Sequence, residues 1–325
     1  MRSTTGGARL QLGDHHPANE PFIADVVAGL RDTPKHISPM YFYDALGSEL
    51  FDRICELKEY YPTRTELRIL EQHGNDIARS IGDDALLVEF GSGSSMKTRL
   101  LLDELPGLAG YVPVDISRSH LMNAAQGISA SYPDLEVLPI CADFTRPFLL
   151  PKPRREVSRV VVFFPGSTIG NFDPPAAQSL LKVMRGIAGI DGGLLIGTDL
   201  VKDPDVLVRA YDDAAGVTAE FNLNVLRRFN REMGADFDLT HFQHRAVWNA
   251  AASRIEMHLV SLRDQVVTLA GETIEFAAGE SIVTEHCHKY TVPGFAVEAA
   301  RAGWRASARW LDDRGYFSVN YLEAG

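Results

Sequence analysis

From Ala85 to Leu200 the chain repeats one unit: a short apolar run, a small or acidic residue at its end, then a stretch with helical spacing. "ALLVEF" leads through "GSG" toward "SMKTRLLLDEL", "GYVPVDIS" into "RSHLMNAAQGISASYP", and "SRVVVFFPGSTIGNF" into "PPAAQSLLKVMRGIAG". "LEVLPICADFT" and "GGLLIGTDL" read as further strands. Most of these runs are apolar at successive positions, not at every second one. Both faces must then be covered, which is the condition of a parallel sheet between helical layers. The pattern predicts an α/β fold. The chain ends on a helical "VPGFAVEAARAGWR" and a hairpin in "ARWLDDRGYFSVNYLE" that turns near Asp312 to Gly315.

Two regions depart from this unit. Ahead of it, "PFIADVVAGLRDTP" has helical spacing, and two amphipathic patterns flank "EYYPTRTE". Pro62 is expected to break the first, Thr63 or Thr65 to cap the second, and Glu66 to sit near its first turn. Later, "DPDVLVRAYDDAAGVTAEFNLNVLRRFNREMG" is helical, and the segment from His241 to Tyr290 alternates like antiparallel strands. The expected division is 62–201 plus 288–325 for the α/β domain and 20–61 plus 202–287 for a second domain. Residues 1–19 read as a flexible lead-in, with His15 and His16 as solvated side chains.

With 325 residues and 45% hydrophobic content the chain can bury a core for one large domain or two. A formal charge of -11 repels polyanions, which argues against a nucleic-acid substrate. Cys55, Cys141 and Cys287 are too few and too scattered for a disulfide framework, so a reducing cytoplasm is expected. The chain has no run of about 20 apolar residues that would span a membrane. Its first residues lack the apolar core of a secretory signal. The negative charge and the lack of a long exposed apolar pattern are compatible with a monomer.

The turn "EFGSGSS" carries the first chemical signal. Gly91 and Gly93 let backbone approach a ligand with no Cβ in the way. Met96 stands where a dinucleotide fingerprint has its third glycine, which argues against a nicotinamide-dependent dehydrogenase. Asp115 closes the next strand, placed to accept from ribose hydroxyls. In "CADF", Asp143 can accept an adenine amino group and Phe144 can lie against the ring. A glycine turn, an acid and then Asp-Phe is the order expected for S-adenosylmethionine, which has ribose and adenine but no phosphate.

The stretches "YFYDALGSELFDRICELKEYYPTRTE", "EFGSGSSMKTRLLLD", "FFPGSTIGNF" and "SRIEMHLVS" resemble, in that order, the histidine Nα-methyltransferases of ergothioneine biosynthesis. The resemblance covers nearly all of the chain after about residue 20. It implies a class I S-adenosylmethionine-dependent methyltransferase domain, Rossmann-like, with a second α+β substrate-binding domain built from the N-terminal region and the insertion. It places the cofactor on Gly91, Lys97, Asp115, Asp143 and Phe144. It places the substrate on Tyr43, Phe51, Tyr60, Gly166, Asn171, Tyr211, Met257 and Glu285. The family's next contact, a serine, is here Cys287, and a thiol is a weaker hydrogen-bond partner than a hydroxyl. The implied reaction is threefold methylation of the α-amine of L-histidine to hercynine, with S-adenosylhomocysteine as by-product. The nearest relatives inside the superfamily methylate tryptophan or its derivatives, so another aromatic amino acid remains a second reading, and a non-catalytic S-adenosylmethionine sensor a third.

Displacement at a sulfonium methyl needs a neutral, aligned amine and little water, and no metal. Asn171 offers both donor and acceptor for the amine or carboxylate, Tyr60 and Tyr211 offer hydroxyls to a carboxylate, and Tyr43 can bond the amine. Asn171 and Tyr43 are the expected catalytic pair. Glu285 can accept an imidazole N–H and so select histidine. Met257 supplies an apolar, polarizable wall. An indole needs more room and offers no imidazolium charge, so Met257 with Glu285 favours histidine. In "EHCHK", His286 and His288 share a strand face, with Cys287 on the other. Two histidines alone do not make a metal site, nor does "HFQH", so no metal is expected. "KPRRE" reads as a solvated loop.

Overall fold

The computed structural model of the chain describes residues 12–15, 20–93 and 95–325. In chain order the first elements are β1 (Gly13–His15), α1 (Glu20–Arg31), β2 (Lys35–His36), α2 (Ala45–Glu56) and α3 (Tyr61–Ile81). Then come β3 (Ala85–Phe90), α4 (Met96–Asp103), β4 (Gly110–Asp115), α5 (Arg118–Ser131), β5 (Ile140–Ala142), β6 (Arg159–Phe164), α6 (Pro174–Ala188) and β7 (Gly193–Asp199). The inserted region holds α7 (Pro204–Tyr211), α8 (Val217–Met233), β8 (Phe242–Asn249), β9 (Arg254–Ser261), β10 (Gln265–Leu269), β11 (Glu272–Phe276) and β12 (Ser281–His288). The chain closes with α9 (Val292–Arg301), β13 (Trp304–Leu311) and β14 (Phe317–Ala324).

The alternating unit folds into one sheet in the order β1-β5-β4-β3-β6-β7-β14-β13, parallel except where the terminal hairpin joins antiparallel to β7. Every residue of β3 and β7 is buried, the acids Glu89 and Asp199 included. The sheet's two faces feed two cores. Leu86, Val88 and Phe90 join the α6 and α9 side chains Leu180 and Phe295, while Ala85 and Leu87 join Ile69 of α3 and Leu101 of α4. Strands β2, β12, β9 and β8 form a separate four-stranded sheet, packed with α1, α2, α7 and α8 around a third core that includes Phe42, Phe221, Phe229, Ile255 and Met257. Parallel β2 reaches this sheet from the N-terminal region, so the two ends of the second lobe are stitched by backbone.

Three local expectations are corrected. Pro62 lies in the first turn of α3, where a missing N–H costs nothing, and Tyr60 holds the cap position. Thr63 and Thr65 are therefore buried within α3, and Thr63 donates to Cys55 Sγ at 3.3 Å. Residues 13–15 of the presumed lead-in pair in parallel with β5; the rest of residues 1–19, His16 included, lies outside the described residues apart from Leu12.

Candidate active site

The glycine turn sits between β3 and α4 at the carboxyl ends of the parallel strands, where open α/β sheets take ligands. Gly91 (φ +72°) and Gly93 (φ +37°) occupy backbone space that side chains avoid, and the Gly91 N–H donates to Val114 O at 2.8 Å. Ser95 is also left-handed, at φ +59°. Ser92 Oγ and Ser95 Oγ are buried with no partner among the described residues. A buried hydroxyl without a partner is costly, so the turn is built to be completed by a polar ligand.

The neighbouring strand ends supply the rest. Asp115, ending β4, accepts from the backbone N–H of Ser117 at 2.8 Å and from that of Gly93, which ties it to the glycine turn. Burial raises its carboxyl above the usual range. Phe144 stacks on Phe90 with ring centroids 5.3 Å apart, and a Cβ on Gly91 would stand 4.0 Å from its ring. Asp143 Oδ1 accepts from Thr145 N at 2.9 Å and Thr145 Oγ1 at 2.6 Å, which fixes its orientation. Asp115 and Phe144, which the sequence assigned to ribose and adenine, thus border one turn, and Asp143 directly precedes Phe144. Below it, Glu89 accepts from Thr98 Oγ1 and Tyr111, and burial pushes its carboxyl up to about 8.

Lys97 does not stand alone. Its Nζ lies 2.6 Å from Glu66 Oε2, and Glu66 is buried inside α3. The same carboxylate accepts from the Gly166 N–H at 2.8 Å. Glu66 therefore joins α3, the glycine-turn helix and the "PGST" turn after β6. Gly166 itself (φ +79°) lies so close that an added Cβ would meet Lys97 Nζ at 3.3 Å.

On the second lobe, Tyr43, Phe51, Tyr60 and Tyr211 form a run of edge-to-face rings, with centroids 5.8, 6.2 and 6.0 Å apart. Such pairs hold rings at fixed angles. Glu285, on β12, pairs in register with Met257 on β9. Burial raises its carboxyl to about 7, while the Lys289 charge and a hydrogen bond from the Asn171 amide oppose that rise. Asn171 ends the short turn Thr168–Asn171 after β6, so this bond crosses from one lobe to the other. Tyr43 has its hydroxyl ionisation raised by burial and by the charge of Glu285, so it stays a neutral phenol.

Cys287 Sγ lies 2.9 Å from the Tyr211 hydroxyl and 3.1 Å from Lys289 Nζ. Burial pushes this thiol up, so it is neutral. Lys289 Nζ also reaches Tyr211 Oη at 2.8 Å and Asp199 Oδ2 at 2.7 Å, so its three donors are all used. Asp199, ending β7, further takes the Tyr61 hydroxyl at 2.8 Å and the Lys202 ammonium. Burial alone would raise Asp199, but Lys289 and Lys202 hold it below the usual carboxylate range. Burial lowers Lys202 to about 8. His244 of "HFQH" is a core residue: its ring spans Asn222 at 2.8 Å and the Tyr211 carbonyl at 2.8 Å.

The site residues read from the sequence thus fall into two groups, Gly91, Asp115, Asp143 and Phe144 around the turn, and Tyr43, Phe51, Tyr60, Tyr211, Met257, Glu285 and Cys287 on the second lobe. Lys97, Gly166 and Asn171 lie between. The reading missed Glu66, Asp199, Lys202 and Lys289. An acid closing a fourth strand in "GTDL" and a lysine following an apolar strand in "CHKY" were the available signals.

The family model described as "Histidine-specific methyltransferase, SAM-dependent" matches residues 22–324. The Histidine N-alpha-methyltransferase of Mycolicibacterium smegmatis is 45% identical over 309 residues, covering 93% of this chain and 95% of that protein. That of Mycobacterium tuberculosis is 44% identical over 301 residues, 91% and 92% of the two chains. The Ergothioneine biosynthesis protein 1 of Neurospora crassa is 34% identical over 208 residues, 63% of this chain and 24% of that much longer one.

Proposed function

We propose, for a chain that belongs to the SAM-dependent histidine-specific methyltransferase family, that it methylates the α-amine of L-histidine, three times in turn, to give hercynine for ergothioneine biosynthesis. It is an S-adenosylmethionine-dependent methyltransferase of class I α/β fold with a small-molecule substrate. The observation that carries the substrate reading is the close approach of the turn carrying Asn171 to β12, which carries Glu285: a Cβ on Gly170 would fall 2.7 Å from the His288 carbonyl oxygen and 3.6 Å from Cys287 Sγ, and the Asn171 amide opposes the rise of the Glu285 carboxyl. This supports reading Asn171 as the amine-steering group and Glu285 as the imidazole reader.

The orphaned hydroxyls of Ser92 and Ser95 and the open backbone of Gly91 fit S-adenosylmethionine. Asp115 would accept from its ribose, Asp143 from its adenine amine, and Phe144 would cover the ring; Lys97, anchored by Glu66, would face its amino-acid end. When bound, it supplies an electrophilic sulfonium methyl. The chain's own groups do the positioning. Asn171, Tyr60 and Tyr211 hold the substrate carboxylate and amine. In the first two transfers Tyr43, a neutral phenol, would accept an N–H of the amine through its oxygen, which leaves the amine lone pair free. Each transfer would form one N–C bond as the methyl's S–C bond breaks and S-adenosylhomocysteine leaves, and before the second and third transfers the ammonium would give a proton to water. Glu285 takes the imidazole N–H, Cys287 borders the same ring, and Met257 and Phe51 wall it. This supports residues 20–61 plus 202–287 as the substrate lobe and 62–201 plus 288–325 as the methyltransferase domain.

Among the described residues no helix is long and apolar enough to cross a membrane. No disulfide joins Cys55, Cys141 and Cys287, which supports a cytoplasmic setting. The test is mass spectrometry after incubation with labelled S-adenosylmethionine and single amino acids. Histidine gaining three labelled methyls is the expected result; no methylated histidine, or preference for tryptophan in direct competition, rejects the reading.

A further inference from the structure

Behind the wall that carries Glu285 and Cys287, the opposite face of β12 presents His286 and His288. Two histidines at i and i+2 are one donor short of a metal site, but the fold brings a third. Asp173 Oδ1 lies 3.0 Å from His286 Nδ1 and 3.1 Å from His288 Nε2. The three donor atoms all lie within 4.8 Å of one another. Metal–nitrogen bonds of about 2.0–2.1 Å in a tetrahedron put neighbouring donors roughly 3.3 Å apart, so a small opening of this cluster admits an ion.

Asp173 adds a second sign. It holds the N-cap position of α6, where aspartate normally accepts from the first helical N–H groups, yet its side chain makes no cap bond. It turns instead to the two imidazoles. The competitor is Arg254, whose Nη1 reaches Asp173 Oδ1 at 2.9 Å. Arg254 also holds Glu256 at 2.8 Å, so it has a second anion to retain if an ion takes Asp173.

We propose that Asp173, His286 and His288 form a three-ligand site for a divalent transition metal such as zinc, which clamps the turn carrying Asn171 to β12 from behind. Two imidazoles and one carboxylate are borderline ligands that suit zinc, cobalt or nickel and disfavour magnesium, and they leave a fourth position for water. The location gives the ion leverage. Asp173 is two residues past Asn171, and His286 stands between Glu285 and Cys287. The two segments already touch, since a Cβ on Gly170 would fall 2.7 Å from the His288 carbonyl oxygen. An ion there fixes the spacing between the two sides of the candidate site.

The test is calorimetric titration of the untagged chain with zinc chloride, magnesium chloride as control, and cobalt absorption as a readout of ligand geometry. One zinc per chain with a rise in melting temperature is expected, weakened at least tenfold in Asp173→Asn and His286→Gln and tightened several-fold in Arg254→Gln. S-adenosylhomocysteine binding checks that each variant is folded. If His286→Gln fails that check, Asp173→Asn and the gain in Arg254→Gln decide. Zinc binding no tighter than magnesium, or zinc binding unchanged in Asp173→Asn, overturns the proposal.

Discussion

The hydroxyl of Tyr211 and the thiol of Cys287 stand 2.9 Å apart, and the Lys289 ammonium reaches both. One residue of α7 and one of β12 are thereby locked together under the run of aromatic rings. The resemblance to the family puts a serine at the position of Cys287. Cys287→Ser should restore a stronger partner in a pocket already organised by Tyr211 and Lys289. About 1 kcal/mol is at stake, so the KM for histidine should fall roughly fivefold with kcat little changed. Steady-state kinetics with histidine check this; an unchanged KM means that the thiol does not face the substrate.

Glu285→Ala should remove the imidazole reader while leaving the amine-steering groups in place. A site built around a hydrogen bond rejects ligands that lack the partner, so kcat/KM for histidine should drop by about 10² or more. Activity on phenylalanine or tryptophan should change far less. Parallel kinetics on the three amino acids decide it, and an equal loss on all of them would assign Glu285 to the fold.

Lys97→Met should leave the buried Glu66 carboxylate with only the Gly166 N–H. Stripping one partner from a buried pair costs about 3 kcal/mol or more. Urea unfolding should show that loss, and adding Glu66→Gln should recover part of it, because the amide oxygen still accepts from Gly166. A double variant no more stable than the single one would contradict the pairing.

Glu89 has its carboxyl raised to about 8, whereas an unfolded chain ionises it near 4.5. Between these values the folded state holds a proton that the unfolded state releases. Its contribution to stability is therefore present at the acid end and is lost as pH rises from about 4.5 to 8. The buried His244 and His258 have lowered values and act in the opposite sense near their own range, so the whole-protein curve mixes the two. The difference between wild type and Glu89→Gln isolates the effect: the wild type should lose ground steadily across that window. A pH-independent difference in urea midpoints would show that Glu89 ionises normally.

What the sequence determined by itself is the local part of this protein. Continuous apolar runs set the buried strands β3, β6 and β7. Glycines and acids at their ends marked Gly91, Asp115 and Asp143 as strand-end residues, because each of these signals acts within a few residues of backbone. Motif resemblance then carried the reader residues on β9 and β12. Tertiary structure alone decided which distant charges meet: Glu66 with Lys97 and Gly166, Lys289 with Asp199 and Cys287, Asp173 with the two histidines. Periodicity says which face of a helix or strand is buried. It does not say what that face meets, and a buried charge is tolerated only when a partner from elsewhere in the chain is brought to it. That pairing is set by how the inserted lobe docks on the large sheet, and no stretch of sequence holds it on its own.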